Sequence, residues 1–292
     1  MQQVEEQLIK PIILGLGTSR ETTKEVVQSA ILDYNYRLID TAAFYLNEPA
    51  VGEAIKAAAD KVPRKDLFIV SKIWNDAKED VEGALKDSLK RLDLEYLDLY
   101  LIHWPIGICT DKDKWKYKQP PLHKTWAAME ACVRKGLCKH IGISNFNCQL
   151  TLDLLSYAEI PPYANQIELH PYCTQRKFVK YCLANNIIPM AYGPLAAGAE
   201  AKGLNLLNDP VIVSLAEKYK KTPSQICLQW GMANEHLVIP RTKTITRLKE
   251  NIEALGFIIE PEDLKKIDEL DKNQRIYLPS VEFGMGGIPI FD

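Results

Sequence analysis

The sequence predicts an α/β fold, a single closed (β/α)8 barrel built from residues 1–292. Three observations predict it. Short apolar, β-branched runs alternate with helical stretches, which argues for a parallel sheet. The early runs start roughly 30 residues apart, the size of one βαβ unit. Eight such units follow one another with no linker-like shift in composition, and their near-continuous apolar character suits strands buried on both faces.

The first run, Ile12–Leu16, leads into Gly15-Leu16-Gly17-Thr18-Ser19-Arg20. A doubly wound dinucleotide fold would need a third glycine where Arg20 stands, so that alternative fails at its own fingerprint. Thr22-x-x-Glu25 then reads as a capping box ahead of a helix with Val26, Val27, Ala30 and Ile31 on one face. The second run, Leu38–Asp40, continues through Thr41 to Tyr45, and the third, Leu67–Val70, into Ser71-Lys72. The fourth, Leu97–Ile102, is followed by His103-Trp104-Pro105, and the fifth, His140–Ile143, by Ser144-Asn145. The sixth, Ala164–Leu169, carries Gln166 and Glu168 and meets His170; the seventh, Ile187–Ala191, ends in Tyr192-Gly193-Pro194. Thr222-Pro223-Ser224-Gln225 opens a helix with an N-cap, a proline at N1 and a glutamine at N3. The eighth run, Leu237–Ile239, ends in Pro240-Arg241-Thr242.

Composition narrows the function classes. With 36 Lys and Arg against 38 Asp and Glu, the net charge of -2 offers no nucleic-acid footprint. No run reaches the length of a membrane span, and the opening MQQVEEQLIKP is acidic where a signal peptide would be basic. Seven cysteines lie between Cys109 and Cys227 without a CxxC pair or zinc spacing. They read as reduced thiols of a cytoplasmic protein with no metal site.

In such a barrel the chemistry sits where strands end. Asp40, Tyr45, Lys72 and His103 come from neighbouring strand ends, and burying such charges is costly unless they pair. A tyrosine starts near pKa ~10, and the Lys72 ammonium would lower that value while Asp40 holds Lys72 charged. With His103 donating to the same oxygen, the set suits a carbonyl turning into an alkoxide. That chemistry needs a hydride source. Arg241, Thr242, Lys243, Thr244 and Arg247 precede a helix where such barrels place phosphates, Arg247 as a fork and Lys243 as a point charge. Tyr192 could stack on a flat ring, and Ser144, Asn145 and Gln166 offer the donors and acceptors of a carboxamide site. A metal-dependent hydrolase using Asp40, His103, Glu168 and His170 is disfavoured, because no early HxH motif or matched three-ligand spacing is present.

The segments LGLGT (14–18), LIDTAAFYLNE (38–48), FIVSKIW (68–74), LDLYLIHWP (97–105), IGISNF (141–146), NQIELHP (165–171), AYGPL (191–195), VIPRT (238–242) and RLKEN (247–251) resemble the aldo-keto reductase family. The resemblance is nearest to its aldose reductase and xylose reductase branch and spans almost the whole chain. It implies Tyr45 as proton donor, Lys72 and Asp40 as the pair that tunes it, and His103 as carbonyl orienter. It implies NADP(H), preferred over NAD(H), held by Gly17, Thr18, Ser144, Asn145, Gln166, Tyr192 and Leu195. Arg241, Thr242, Lys243, Thr244 and Arg247 would surround the 2′-phosphate, with Glu250 and Asn251 beside the adenine.

The departures from the family are Ser19 in place of a pocket tryptophan, Gly193 and Ala197 in place of two serines, and a short Ala196–Asn208 segment. Ile276-Tyr277-Leu278-Pro279 stands where Asn-Asp-Pro-Trp is common. They argue against tight enclosure of the cofactor, not against the reaction. Trp74, Trp104, Phe283, Met285 and Ser19 are the expected substrate pocket, the last part of it on a C-terminal loop over about 272–292. An aromatic-lined pocket widened at Ser19 suits broad reduction of aldehydes, open-chain aldoses included, and some ketones. The expected partner is a small carbonyl compound and the expected state a monomer, with a homodimer as the alternative. A catalytically silent structural or regulatory subunit of the same fold is the competing function.

Overall fold

A computed structural model of the chain describes residues 13–19, 22–114, 116–197, 203–278 and 285–291. The barrel strands are β1 (Leu16–Gly17), β2 (Leu38–Asp40), β3 (Phe68–Ile73), β4 (Leu97–Ile102), β7 (Cys138–Ser144), β8 (Ala164–Glu168), β9 (Ile188–Tyr192) and β10 (Leu237–Ile239). They form one parallel eight-stranded sheet in the order β1-β2-β3-β4-β7-β8-β9-β10. The sheet closes on itself through Gly15 N to Val238 O at 2.9 Å and Gly17 N to Pro240 O at 3.1 Å. The fold is a (β/α)8 barrel, as the sequence predicts. No helix among the described residues is long and apolar enough to cross a membrane.

Helices α1 (Lys24–Leu32), α2 (Glu48–Ala58), α3 (Val81–Leu92), α4 (Leu122–Arg134), α5 (Cys148–Leu155), α6 (Arg176–Ala184), α7 (Pro210–Tyr219), α8 (Pro223–Ala233), α9 (Ile245–Ile252) and α10 (Pro261–Asp268) complete it. An amphipathic stripe explains their docking: Val26, Val27, Ala30 and Ile31 of α1 are buried against the outward side chains of the sheet, such as Ile39 and Ile69. Inside the barrel, Leu38, Val70, Leu99, Leu101, Ala164, Met190, Leu237 and Ile239 form a separate apolar plug. Gly142 belongs to this layer: a Cβ there would stand 2.7 Å from Leu101 Cδ2, so the glycine makes room for the leucine.

Three expected runs coincide with strands at both ends: Leu38–Asp40, Leu97–Ile102 and Leu237–Ile239. The third and fifth extend past their apolar cores, to Ile73 and to Cys138–Ser144. Ladder pairing satisfies the backbone whatever the side chain's polarity, so Lys72 and Ser144 are strand residues. The expected box at Thr22 is not formed. Thr23 is the N-cap of α1, with no side-chain cap, and Thr22 Oγ1 donates instead to Thr242 O at 3.2 Å, tying the entry of α1 to the chain after β10. The Thr222 box is formed: Gln225 N donates to Thr222 Oγ1 at 3.2 Å and Thr222 N to Gln225 Oε1 at 3.0 Å.

One element has no counterpart in the sequence reading. Strands β5 (Ile108–Asp111) and β6 (Lys116–Lys118) make an antiparallel hairpin between β4 and α4. Gly107 permits it, since a Cβ there would meet Lys118 O at 2.2 Å. All seven cysteines are free thiols.

Candidate active site

Side chains alternate across a strand, so the residue two places beyond a plug residue faces the barrel mouth. Asp40 follows Leu38 by two, Lys72 follows Val70, His103 follows Leu101 and Ser144 follows Gly142. In the same way Gln166 follows Ala164, Tyr192 follows Met190 and Arg241 follows Ile239. One period therefore brings the polar strand ends together above an apolar floor.

Lys72 is fully buried. Its Nζ donates to Asp40 Oδ1 at 2.7 Å, to Thr41 O at 2.9 Å and to the Tyr45 hydroxyl at 3.4 Å. Burial pulls the ammonium down, but the charges and hydrogen bonds of Asp40 and Tyr45 outweigh it, and Lys72 is held above its ordinary value. Tyr45 sits on a short turn, Ala43–Tyr45, after β2. Its ring meets His103 edge-on, centroids 5.7 Å apart.

The expected lowering of the Tyr45 phenol is only part of the balance. Burial raises it, the Lys72 charge lowers it, the Asp40 charge raises it again, and the net direction is up. Tyr45 thus holds its proton at neutral pH. Burial first, then the charges of Lys72 and Lys78, push His103 well below the usual imidazole value, so its ring is neutral. Its Nδ1 is buried without a hydrogen-bond partner among the described residues.

The expected carboxamide set is bonded into this group. Gln166 Nε2 donates to Asp40 Oδ2 at 2.7 Å, and Ser144 Oγ to Gln166 O at 2.8 Å. Asn145, directly after β7, has φ 62, a left-handed conformation that asparagine tolerates better than most residues. Its Nδ2 donates to His103 O at 2.9 Å and to Ser144 Oγ at 3.2 Å, while Oδ1 accepts from the Tyr192 hydroxyl at 2.7 Å.

The expected phosphate region is cationic and open. Arg241, Lys243, Thr244 and Arg247 are exposed. Helix α9 has Thr244 as N-cap without a side-chain cap and no acidic residue in its first turn. Arg247 makes no hydrogen bond or ion pair among the described residues, and Arg241 makes one long contact, to Ser19 O at 3.4 Å. Uncapped N–H groups with an unpaired guanidinium beside them fit a phosphate monoester. Buried Thr242 braces the turn by accepting from Thr244 N at 3.1 Å.

Other expected contacts carry structural bonds. Thr18 is fully buried and gives both its N–H and its hydroxyl to Asp40 O, at 2.9 Å and 3.0 Å. Gly17 lies close to β10, where a Cβ would stand 3.1 Å from Ile239 O. Leu195 packs against two apolar clusters. Glu250 accepts from Thr222 Oγ1 at 2.6 Å, and Asn251 is buried.

In the expected substrate pocket, Trp74 stacks on Phe44 with centroids 3.7 Å apart and meets His103 edge-on at 4.9 Å. Trp104 is buried with Ile106 and Met285. Met285 is 1% exposed, so it backs the wall more than it faces the opening. Ser19 is half-buried, and Phe283 lies outside the described residues.

Several contributors escaped the sequence reading. Phe44 could have been found from its place beside Tyr45. The hairpin could not: Tyr117 donates to Met285 O at 2.8 Å across 168 residues. Nor could Lys78, whose Nζ donates to Trp104 O at 2.7 Å and Ile106 O at 2.5 Å, with burial pulling its ammonium down to about 7. The four residues of the hydrolase alternative are divided. Asp40 serves Lys72 and Gln166, whereas Glu168 is 2.9 Å from His170 Nε2 and accepts the N–H groups of Ile276 and Tyr277.

Known proteins carry the same architecture. The profile of the Aldo/keto reductase family matches residues 12–272. Aldo-keto reductase family 1 member A1 of Bos taurus is 39% identical over 287 residues, 91% of this chain and 88% of that protein. The NADP-dependent D-sorbitol-6-phosphate dehydrogenase of Malus domestica is 40% identical over 294 residues, 94% of each. Among solved structures, the aldose reductase from Schistosoma japonicum superposes with a TM-score of 0.85 at 33% identity, covering 95% of this chain and 93% of that one. With a family profile matched over most of its length and relatives near two-fifths identity across nine-tenths of it, the chain belongs to the aldo/keto reductase family.

Proposed function

We propose that the chain reduces aldehydes, open-chain aldoses included, and some ketones to alcohols with NADPH, Tyr45 giving the proton. The observation that carries this reading is Lys72 Nζ between Asp40 Oδ1 at 2.7 Å and the Tyr45 hydroxyl at 3.4 Å, beside a neutral His103. Ser144, Asn145 and Gln166 would hold the nicotinamide carboxamide and Tyr192 would stack on the ring. Gly17, Thr18 and Leu195 would line its path. Arg241, Thr242, Lys243, Thr244, Arg247 and the start of α9 would hold the 2′-phosphate, with Glu250 and Asn251 by the adenine. The bound reduced nicotinamide supplies a hydride to the carbonyl carbon.

Tyr45 and His103 orient the carbonyl oxygen through their hydrogen bonds. As that oxygen gains charge, the Tyr45 O–H bond breaks and its proton completes the alcohol. Lys72 stabilises the resulting phenolate until solvent returns a proton, and Asp40 keeps Lys72 charged. Positioned proton transfer contributes about 10²–10⁴-fold. Asp40 also keeps a hydrogen bond to Gln166, so the proton-holding group and the carboxamide site share one carboxylate.

Trp74, Trp104 and Phe44 make an apolar wall, and Ser19 leaves one side wide, which supports breadth over a narrow sugar specificity. Met285, from the C-terminal stretch, backs the same wall. The reading takes the enzyme as cytoplasmic and monomeric, with a homodimer as the alternative. The test is to follow NADPH absorbance with aldoses, aliphatic and aromatic aldehydes, ketones and steroids. Aldehydes exceeding xylose in kcat/KM is the expected result. Xylose exceeding every aldehyde overturns the breadth, and no turnover with any carbonyl overturns the reductase reading.

A further inference from the structure

Tyr277 lies in the C-terminal stretch where the sequence departs from the family, and the barrel holds it firmly. Glu168, fully buried at the end of β8, accepts the backbone N–H groups of Ile276 at 2.6 Å and of Tyr277 at 3.1 Å. Arg275 Nη2 donates to Gln175 Oε1 at 2.6 Å just before it. From this anchor the Tyr277 hydroxyl donates to Ala197 O at 2.9 Å, on the chain leaving β9. Its ring meets Tyr192 edge-on, centroids 5.6 Å apart at 71°.

Gly193 makes the approach possible. Its φ is +60°, and a Cβ there would stand 2.6 Å from Tyr277 Cε2. Gly193 and Ala197 are the two positions where the family's serines are missing, and they are the two positions that Tyr277 reaches. One aromatic side chain from the far end of the sequence packs over the first position and bonds the backbone of the second.

We propose that Tyr277 is a positioning residue for the dinucleotide: it backs the ring of Tyr192 and ties the chain at Ala197 to the C-terminal segment, so that a bound nicotinamide dinucleotide is retained. The proposal rests on the cofactor reading above. One hydroxyl–carbonyl hydrogen bond corresponds to about two- to tenfold in an equilibrium constant. Such changes within one binding site fall mainly on dissociation. The two fixed points, Tyr192 and Ala197, flank the turn at Gly193, so the tether acts on both sides of one bend.

The experiment uses the full chain without carbonyl substrate. NADPH binding is followed by quenching of tryptophan fluorescence, and release by stopped-flow displacement. Tyr277→Phe removes the hydroxyl alone and is expected to raise the NADPH Kd about three- to tenfold, carried by faster dissociation. Gly193→Ser places a side chain against the ring and is expected to weaken retention too. Adding Tyr277→Phe to it then costs less than it does alone, because both act through one contact. The thermal midpoint of cofactor-free Tyr277→Phe, within about 4 °C of the parent, separates this from a general loss of fold. A Tyr277→Phe protein that binds and releases NADPH as the parent does overturns the proposal alone. A parent chain that does not bind NADPH overturns both the proposal and the reading beneath it.

Discussion

Gln166 Nε2 donates to Asp40 Oδ2 at 2.7 Å, reaching from β8 to β2 across the barrel mouth, while Asp40 Oδ1 accepts from Lys72 at 2.7 Å. One buried carboxylate, 3% exposed, thereby joins the side chains proposed for the carboxamide to those proposed for the proton. Removing its charge leaves the Lys72 ammonium buried against a neutral amide. Asp40→Asn is expected to lose about 3–5 kcal/mol of stability, the cost of breaking a buried pair. The double variant Asp40→Leu/Lys72→Met should recover most of that stability without recovering turnover. Urea unfolding and steady-state reduction measured on the same preparations check both halves.

Tyr45→Phe keeps the ring against His103 and removes the proton proposed to complete the alcohol. Its kcat is expected to fall by about 10²–10⁴-fold, with NADPH Kd moving less than about twofold, since the lost group acts on the reacting oxygen. Turnover near the parent value would remove Tyr45 as the acid.

On the proposed reading, the preference for NADPH comes from the cations at the start of α9. A charge-assisted contact contributes about 1.5–3 kcal/mol, or roughly 10–100-fold. Arg247→Ala should therefore lower the NADPH-to-NADH ratio of kcat/KM by that factor while leaving the NADH value close to the parent's. An unchanged ratio would show that the 2′-phosphate is held elsewhere.

His236 gives the fold an acid-sensitive point remote from the chemistry. It is buried, packs edge-on to Trp230 with centroids 5.5 Å apart, and burial lowers its imidazole to about 4. An unfolded chain titrates the same group near ~6.5, so between those two values the unfolded state binds more protons and stability falls as pH falls. His236 alone accounts for a loss of about 2 kcal/mol at pH ~5 relative to pH ~8. His236→Leu should flatten that part of the pH profile of urea unfolding. A profile as steep as the parent's would place the sensitivity in other groups.

Legibility followed periodicity. A strict alternation of two fixes which strand residues face inward, so Asp40, Lys72, His103, Ser144, Gln166 and Tyr192 could be read as neighbours from the sequence alone. The same rule ends where strands end. The Tyr117 bond to Met285 and the Lys78 bonds to Trp104 and Ile106 join loops that no repeat relates, and the β5–β6 hairpin carries no strong apolar pattern to announce it. The direction of the Tyr45 shift was hidden for a different reason: a neighbouring charge is visible in a sequence, whereas the depth of burial that opposes it is not. Thr18 shows the same gap, its motif pointing to a ligand and its bonds going to Asp40 O.

The apolar plug and the polar rim occupy successive levels of the same strands, separated by a single pleat. The plug and the ladder lie below the rim, so rim chemistry can be rewritten above them provided that the buried Asp40–Lys72 pair is replaced together. A protein engineer who wished to give this scaffold a different reaction would thus have seven inward-facing addresses, one per strand end from Asp40 to Arg241, at which to rewrite chemistry while the load is carried one storey below.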